Sequence, residues 1–293
     1  MTPMELDLPL PLDALETFGE GLDHAEGICE APDGTLYVGG EGGQLYRVEP
    51  DGTPTELLST GGFMLGLAAD AAGRIYAIDV GHRCVWRIDP ATRGLAQFAV
   101  GPRERPFHAP NWGAFGPDGS YYLSDSGTWD RGDGCIWRVP PGGRPELWSE
   151  ASHDQPNGLA VSPDGTRLYV LESYPGALVS LAIRADGSAG PRELLCDLDP
   201  AVPDGVALAT DGSLFIACYR PDAIYRWSAS GGLQTFAEDP RGVVLAAPTN
   251  IVLTGPGRDQ LVVPNIGRWH LTRMPAGVAG EPLHYPTVEQ LGG

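Results

Sequence analysis

One pattern recurs six times along this chain, and it limits the fold more than any other feature of the sequence. Four copies are plain: AEGICEAPDGTLYV from Ala25, PNWGAFGPDGSYYL from Pro110, PNGLAVSPDGTRLYV from Pro156 and PDGVALATDGSLFI from Pro203. Each holds an acidic or amide residue, a short apolar run, an Asp-Gly turn and a second apolar run. Two weaker copies, LGLAADAAGRIYAI from Leu65 and NIVLTGPGRDQLVV from Asn250, fill the gaps. The copies share a phase marked by Glu26, Leu65, Asn111, Asn157, Asp204 and Asn250, spaced 39, 46, 46, 47 and 46 residues apart. Such a period is the signature of a repeat architecture. QLYRVEP, CVWRIDP, CIWRVPP, ALVSLAI and AIYRWSA have the alternation of third strands, and TELLST, LAQFAV, PELWSE and RELLCDL follow as fourth strands. Trp86, Trp137 and Trp227 recur on the third strands and are expected to pack between blades. The pattern predicts an all-β six-bladed β-propeller with four antiparallel strands per blade, one domain over residues 1–293. The LETF segment, Leu15 to Phe18, stands where a fourth strand precedes each later copy. It is expected to pair outside the last blade and close the ring, which removes the open edge. LHYP near the C-terminus is expected to add to the same blade.

Composition agrees with this. The 41 Gly and 28 Pro residues lie between apolar runs, as turn punctuation does in an all-β chain. The net charge of −19 argues against nucleic-acid and anionic-membrane partners, which need a basic footprint. No stretch approaches the length of a membrane span. The first twenty or so residues lack the basic start and apolar core of a signal peptide. The five cysteines, Cys29, Cys84, Cys135, Cys196 and Cys218, are odd in number and form no C-x-x-C, so free thiols in a reducing compartment are expected. A cytoplasmic location follows as an expectation, with the oligomeric state left open.

The first strand of a propeller blade lines the central channel, so the residue that opens it sits at the channel mouth. The six phase positions therefore converge on one region. Five carry side-chain oxygens: Glu26, Asn111, Asn157, Asp204 and Asn250. Two carboxylates and three carboxamides make a hard oxygen set, suited to Ca²⁺ and secondarily to Mg²⁺ or Mn²⁺. Zn²⁺ is a further alternative, although it usually recruits His or Cys. Without a cation, two carboxylates facing each other repel unless one is protonated. Taken alone, Asn157-Gly158 or Asp204-Gly205 reads as a turn. The shared register sets this group apart from the Asp-Gly pairs at Asp33, Asp118, Asp164 and Asp211, which sit between hairpin strands. The metal set is assigned to Glu26, Asn111, Asn157 and Asp204, with Asn250 on the metal or on substrate.

With Glu-Gly at Glu26, Pro-Asn at Asn111, P-N-G-L-A-x-S-x-D-G around Asn157 and Pro-Asp-Gly at Asp204, the chain resembles the regucalcin/gluconolactonase family of calcium-dependent six-bladed propellers. The resemblance runs from about Phe18 to the end. Diisopropylfluorophosphatase is similar in using a Glu, Asn, Asn, Asp set on this fold; paraoxonases and strictosidine synthase-like proteins are more distant. The resemblance implies that Glu26, Asn157 and Asp204 bind the metal, that Asn111 is a ligand or a neighbour touching substrate, and that the activity is hydrolysis of a lactone. In some members it is hydrolysis of a phosphotriester or aryl ester. Family sugar lactonases often carry Arg two residues before Asn111; here that residue is Ala109.

Asp204 is the candidate general base or nucleophile. His24 is the second candidate proton carrier: it lies two residues before Glu26, so strand alternation would place both on one face. His108, Trp112 and Trp129 are candidate substrate walls, with Asn111 and Asn250. No Ser has a G-x-S-x-G context, so a serine triad is not expected. The expected function is a metal-dependent hydrolase opening a lactone in the channel. An aryl ester or phosphotriester hydrolase on the same site, or a non-catalytic calcium- or ligand-binding propeller, stands as the alternative.

Overall fold

Residues 6–292 are described by a computed structural model. Among these residues, short apolar runs separated by turn residues form twenty-four strands in six sheets of four, each sheet antiparallel throughout. Blade 1 holds β2 to β5 (Ile28–Glu30, Leu36–Gly39, Gln44–Val48, Pro54–Ser59) and blade 2 holds β6 to β9 (Met64–Ala69, Ile75–Asp79, Cys84–Asp89, Gly94–Val100). Blade 3 holds β10 to β13 (Pro110–Phe115, Tyr121–Asp125, Cys135–Val139, Glu146–Ser149) and blade 4 holds β14 to β17 (Pro156–Val161, Arg167–Ser173, Gly176–Ile183, Ala189–Asp197). Blade 5 holds β18 to β21 (Val202–Leu208, Leu214–Arg220, Ala223–Ser228, Gly232–Glu238). Blade 6 combines β22 to β24 (Val252–Thr254, Gln260–Pro264, Leu271–Pro275) with β1 (Glu16–Phe18) from the other end of the chain.

That last sheet closes the ring as the LETF segment foretells: Glu16, Thr17 and Phe18 pair with Arg273, Thr272 and Leu271. The Asp-Gly turns also fall where expected. Asp33, Asp118, Asp164 and Asp211 each accept a backbone N–H two residues on, and the following glycines have positive φ. Six apolar clusters fill the six junctions between blades; Phe18, Ile28, Val38, Val252 and Leu271 make the junction that joins the chain's two ends. Trp137 is buried in the junction of blades 2 and 3, and Trp86 and Trp227 pack against neighbouring clusters. All five cysteines are unpaired. Among the described residues no helix is long and apolar enough to cross a membrane.

LHYP does not add to blade 6, whose four strands are complete without it. The segment from Ala279 to Gln290 instead runs across the channel at the end opposite the phase residues, touching the inner hairpins of all six blades. Tyr285 donates to the Glu30 carbonyl, and the Pro286 carbonyl accepts from Ala71. Gln290 donates to Pro117, and His284 Nε2 lies 3.3 Å from the Ser162 carbonyl. The Glu281 N–H donates to Leu208, while its carbonyl accepts from Arg258. Strand pairing in blade 6 was the available alternative; contacts to six separate turns replace it. Residues 281–285 thereby cover an apolar chamber of about 130 Å³ walled by the inner strands.

Candidate active site at the channel mouth

The phase residues owe their aim to a repeated irregularity. In blades 2 to 5 the first two strands slip register at the phase position: three steps along the inner strand match two along its partner, between Met64 and Leu67, Pro110 and Gly113, Pro156 and Leu159, and Pro203 and Val206. A bulge of this kind bends its strand and re-aims a side chain. The inner strands also crowd one another. A Cβ on Gly158 would lie 2.4 Å from the Asp204 carbonyl oxygen, and one on Gly205 would lie 2.8 Å from Asn250 Cα. The glycine after the phase residue is therefore required by a close approach between neighbouring blades, not by a turn.

All five oxygen-bearing phase residues come together as unpartnered groups. Glu26 Oε2, Asn111 Oδ1, Asn157 Oδ1, Asp204 Oδ1 and Asn250 Oδ1 are buried without a hydrogen-bond partner. Leaving one such atom unsatisfied is costly, and five at the same mouth need a common explanation. Side-chain orientation is fixed from behind: Asn157 Nδ2 donates to Ser173 Oγ at 3.3 Å, and that hydroxyl donates to the Pro203 carbonyl at 2.7 Å. Thr249 Oγ1 ties the Glu26 carbonyl at 2.9 Å, joining blade 6 to blade 1. Glu26, Asn157 and Asp204 are 5%, 8% and 7% exposed.

Burial, and then the Asp204 carboxylate beside it, push the Glu26 carboxyl well above its ordinary range. Burial pushes Asp204 up to about 7, against a lowering hydrogen bond from Asn157. In the metal-free chain both native pKa values stand above their unfolded values, so the folded state holds more protons between the two. Stability is present below the unfolded value and is lost as pH rises toward the native one. Metal-free protein is thus expected to lose about 1.4 kcal/mol per pH unit for each excess proton between pH ~5 and ~7. Paired carboxyls such as Asp79 and Asp211 have lowered values and titrate below this window. Thermal melts of chelator-treated protein across that range test this; a flat or rising profile contradicts it.

Above the oxygen set lies a cleft of about 470 Å³ that includes Asn111, Asn157, Asp204, Trp129, Tyr219 and Arg220. Trp129 is exposed and stacks on Tyr174, with ring centroids 5.2 Å apart. Asn250 is buried to 1%, beside Gly205.

Three expected site residues lie elsewhere. Trp112 packs into the junction of blades 3 and 4 with Tyr122, Trp148 and Leu159, because Asn111 faces the channel and its neighbour must face away. No strand covers residues 24–26, and His24 has φ 42°, so alternation does not apply to it. Its ring lies 3.0 Å from Asp23 and 3.4 Å from Glu41 and packs edge-on against Trp269, outside the residues lining the cleft. His108 is exposed and contributes a backbone N–H to Asp125 at 2.8 Å. Ser173, Tyr174, Tyr219 and Arg220 are cleft or supporting residues that no motif singled out, although the loop beginning at Tyr219 stands where strand 2 of its blade leaves the mouth.

A family model described as the SMP-30/gluconolactonase/LRE-like region matches residues 24–266, which span all six phase positions. The chain belongs to this family. It is 29% identical over 195 residues to a gluconolactonase from Zymomonas mobilis, a match covering 59% of this chain and 51% of that protein; the chain thus spans about half the length of this curated relative. Solved family structures share the fold. A gluconolactonase from Xanthomonas campestris superposes with a TM-score of 0.76 at 22% identity, covering 89% of each chain. A calcium-binding regucalcin from Agrobacterium tumefaciens superposes with a TM-score of 0.74 at 20% identity, covering 92% of this chain and 97% of that one.

Proposed function

We propose that this propeller is a divalent-metal-dependent lactonase, with Ca²⁺ the favoured ion and Mg²⁺, Mn²⁺ or Zn²⁺ the alternatives. The observation that carries the reading is the set of five unpartnered buried oxygens at one channel mouth. Their composition fits a hard cation: two carboxylates, three amide oxygens, no imidazole and no thiolate. With only two carboxylates in the set, an ion here would depend on the amide oxygens as well. Glu26, Asn111, Asn157 and Asp204 would hold it, with Asn250 adjoining. Gluconolactonase relatives and a calcium-binding regucalcin on the same fold support both halves of the reading.

A bound divalent ion supplies Lewis-acid polarisation of an ester carbonyl and stabilises the oxyanion. The protein does the rest. Asn111, at the cleft floor, orients the ring ester. Asp204 takes the proton of the attacking water or attacks the acyl carbon itself. Ser173 accepts from Asn157 Nδ2 and so fixes the orientation of that amide at the site. The walls bearing Trp129 and Tyr219 shield the reacting ester from bulk water.

Exposed Trp129 and Tyr174 give an aryl ester hydrolase a specific basis as the second reading, since an aryl leaving group could stack there. Chelator-stripped protein assayed on aliphatic, sugar and aryl lactones and esters, with each ion added back, tests both. Metal-restored lactone opening is expected; turnover confined to aryl esters favours the second reading, and no turnover with any ion overturns both.

A further inference from the structure

Among the described residues that line the cleft, Arg220 is the one cation. The chain contains no lysine, so its 19 positive side chains are all arginine, set against 38 acidic residues. Arg220 ends β19, opposite Val202 in the ladder, two residues before Asp204 on the neighbouring strand. Its guanidinium lies over the Tyr219 ring, 4.7 Å from the centroid. Nη1 donates to the Tyr219 carbonyl at 2.8 Å and to Asp222 Oδ1 at 3.3 Å. Asp222 is itself anchored by accepting the Ala247 N–H. One face and one nitrogen of the guanidinium are thus committed to the protein, while the side chain as a whole stays 56% exposed. Nε and Nη2 make no hydrogen bond to any described residue, and together they form one edge of the planar fork.

A fork with one free edge matches a two-oxygen planar anion. Holding the guanidinium in advance lowers the entropy lost on binding. We propose that Arg220 is a carboxylate-recognition subsite, so that the preferred substrates are lactones bearing a free carboxylate, bound with the ring ester over Asp204 and the carboxylate on the free edge of Arg220. The proposal rests on the lactonase reading for its catalytic part. In a molecule of net charge −19 a positioned cation also gives an anionic substrate a local reason to enter this mouth.

The test uses the full-length, metal-loaded protein, a γ-butyrolactone carrying a ring carboxylate, the methyl ester of that acid, and the Arg220→Gln and Arg220→Lys variants. The unaltered protein is expected to favour the acid over the methyl ester in kcat/KM. Arg220→Gln is expected to lower kcat/KM for the acid by about 10- to 100-fold, chiefly through KM, and to bring the acid-to-ester ratio toward unity. Arg220→Lys is expected to restore only part of the ratio, because an ammonium cannot bind bidentately. A ratio near unity in the unaltered protein, or one that survives in Arg220→Gln, overturns the subsite. If no lactone is opened by any form, the lactonase reading fails separately, and calorimetry with the open-chain hydroxy-diacid decides the subsite. Binding that Arg220→Gln weakens tenfold or more supports it; no binding, or equal binding, overturns it.

Discussion

Replacing Asp204 by Asn is expected to lower turnover by about 10³-fold or more while making the metal-free protein more stable. The two effects have one origin. Asp204 is a buried carboxylate beside another, and burial pushes it up to about 7. At neutral pH the metal-free fold therefore carries part of an unfavourable buried charge, which an amide of the same shape removes. The gain is expected to be about 1–3 kcal/mol near pH 7.5 and to vanish only below about pH 4, where the carboxyl is protonated in the folded and the unfolded chain alike. With an ion bound at the proposed site the order is expected to reverse, because the amide would give up a charged ligand. Chemical denaturation of both forms with chelator and with Ca²⁺, alongside lactone assays, reads all of this. Full activity in Asp204→Asn would remove Asp204 from the mechanism; a metal-free variant less stable than the parent would remove the electrostatic argument.

Gly158→Ala is expected to cost about 3 kcal/mol and to disturb the site at the same time. The added Cβ would stand 2.4 Å from the Asp204 carbonyl oxygen, with Gly205 Cα and Val206 N both at 3.1 Å. All three are backbone atoms of the next blade, so no rotamer change relieves the clash. The inner strand of blade 5 must move outward, taking the Asp204 side chain with it. A urea midpoint shift together with weaker metal binding is the expected pair of readouts. Alanine at Gly212, a hairpin-tip residue with positive φ and nothing near its would-be Cβ, should lower stability through backbone strain alone and leave metal binding intact.

What the sequence made legible followed from the repeat. A register kept through six blades placed Glu26, Asn111, Asn157, Asp204 and Asn250 at one mouth, and the structure finds the same five residues with unpartnered buried oxygens. Ring closure by Leu15 to Phe18 was legible for the same reason, since a fourth strand was missing from the last copy and spare at the start. Trp112 was assigned to the wrong face because its neighbours in the repeat are glycines: where blades 1, 2, 4 and 5 have Gly after the phase residue, blade 3 has an indole that must enter the blade junction. His24 failed because the inner strand of blade 1 begins only at Ile28, two residues after the phase position, so strand alternation does not reach back to it. LHYP carries an apolar pattern too short to distinguish a strand from a segment that crosses turns. Arg220 had no motif at all; its place in the cleft depends on a bulge count that only the paired strands reveal.

The segment from Ala279 to Gln290 crosses the channel at the end away from the cleft, bonded to the inner hairpins. On the proposed function, ion, substrate and product would then share the rim at the cleft, and whatever arrives last would leave first. An ion held by the phase residues would lie beneath a ligand in the cleft, so saturating substrate or a tight product analogue should slow extraction of the ion by a chelator. A tube open at both ends would show no such protection. The C-terminal crossing would in this way set the order in which the site can be emptied.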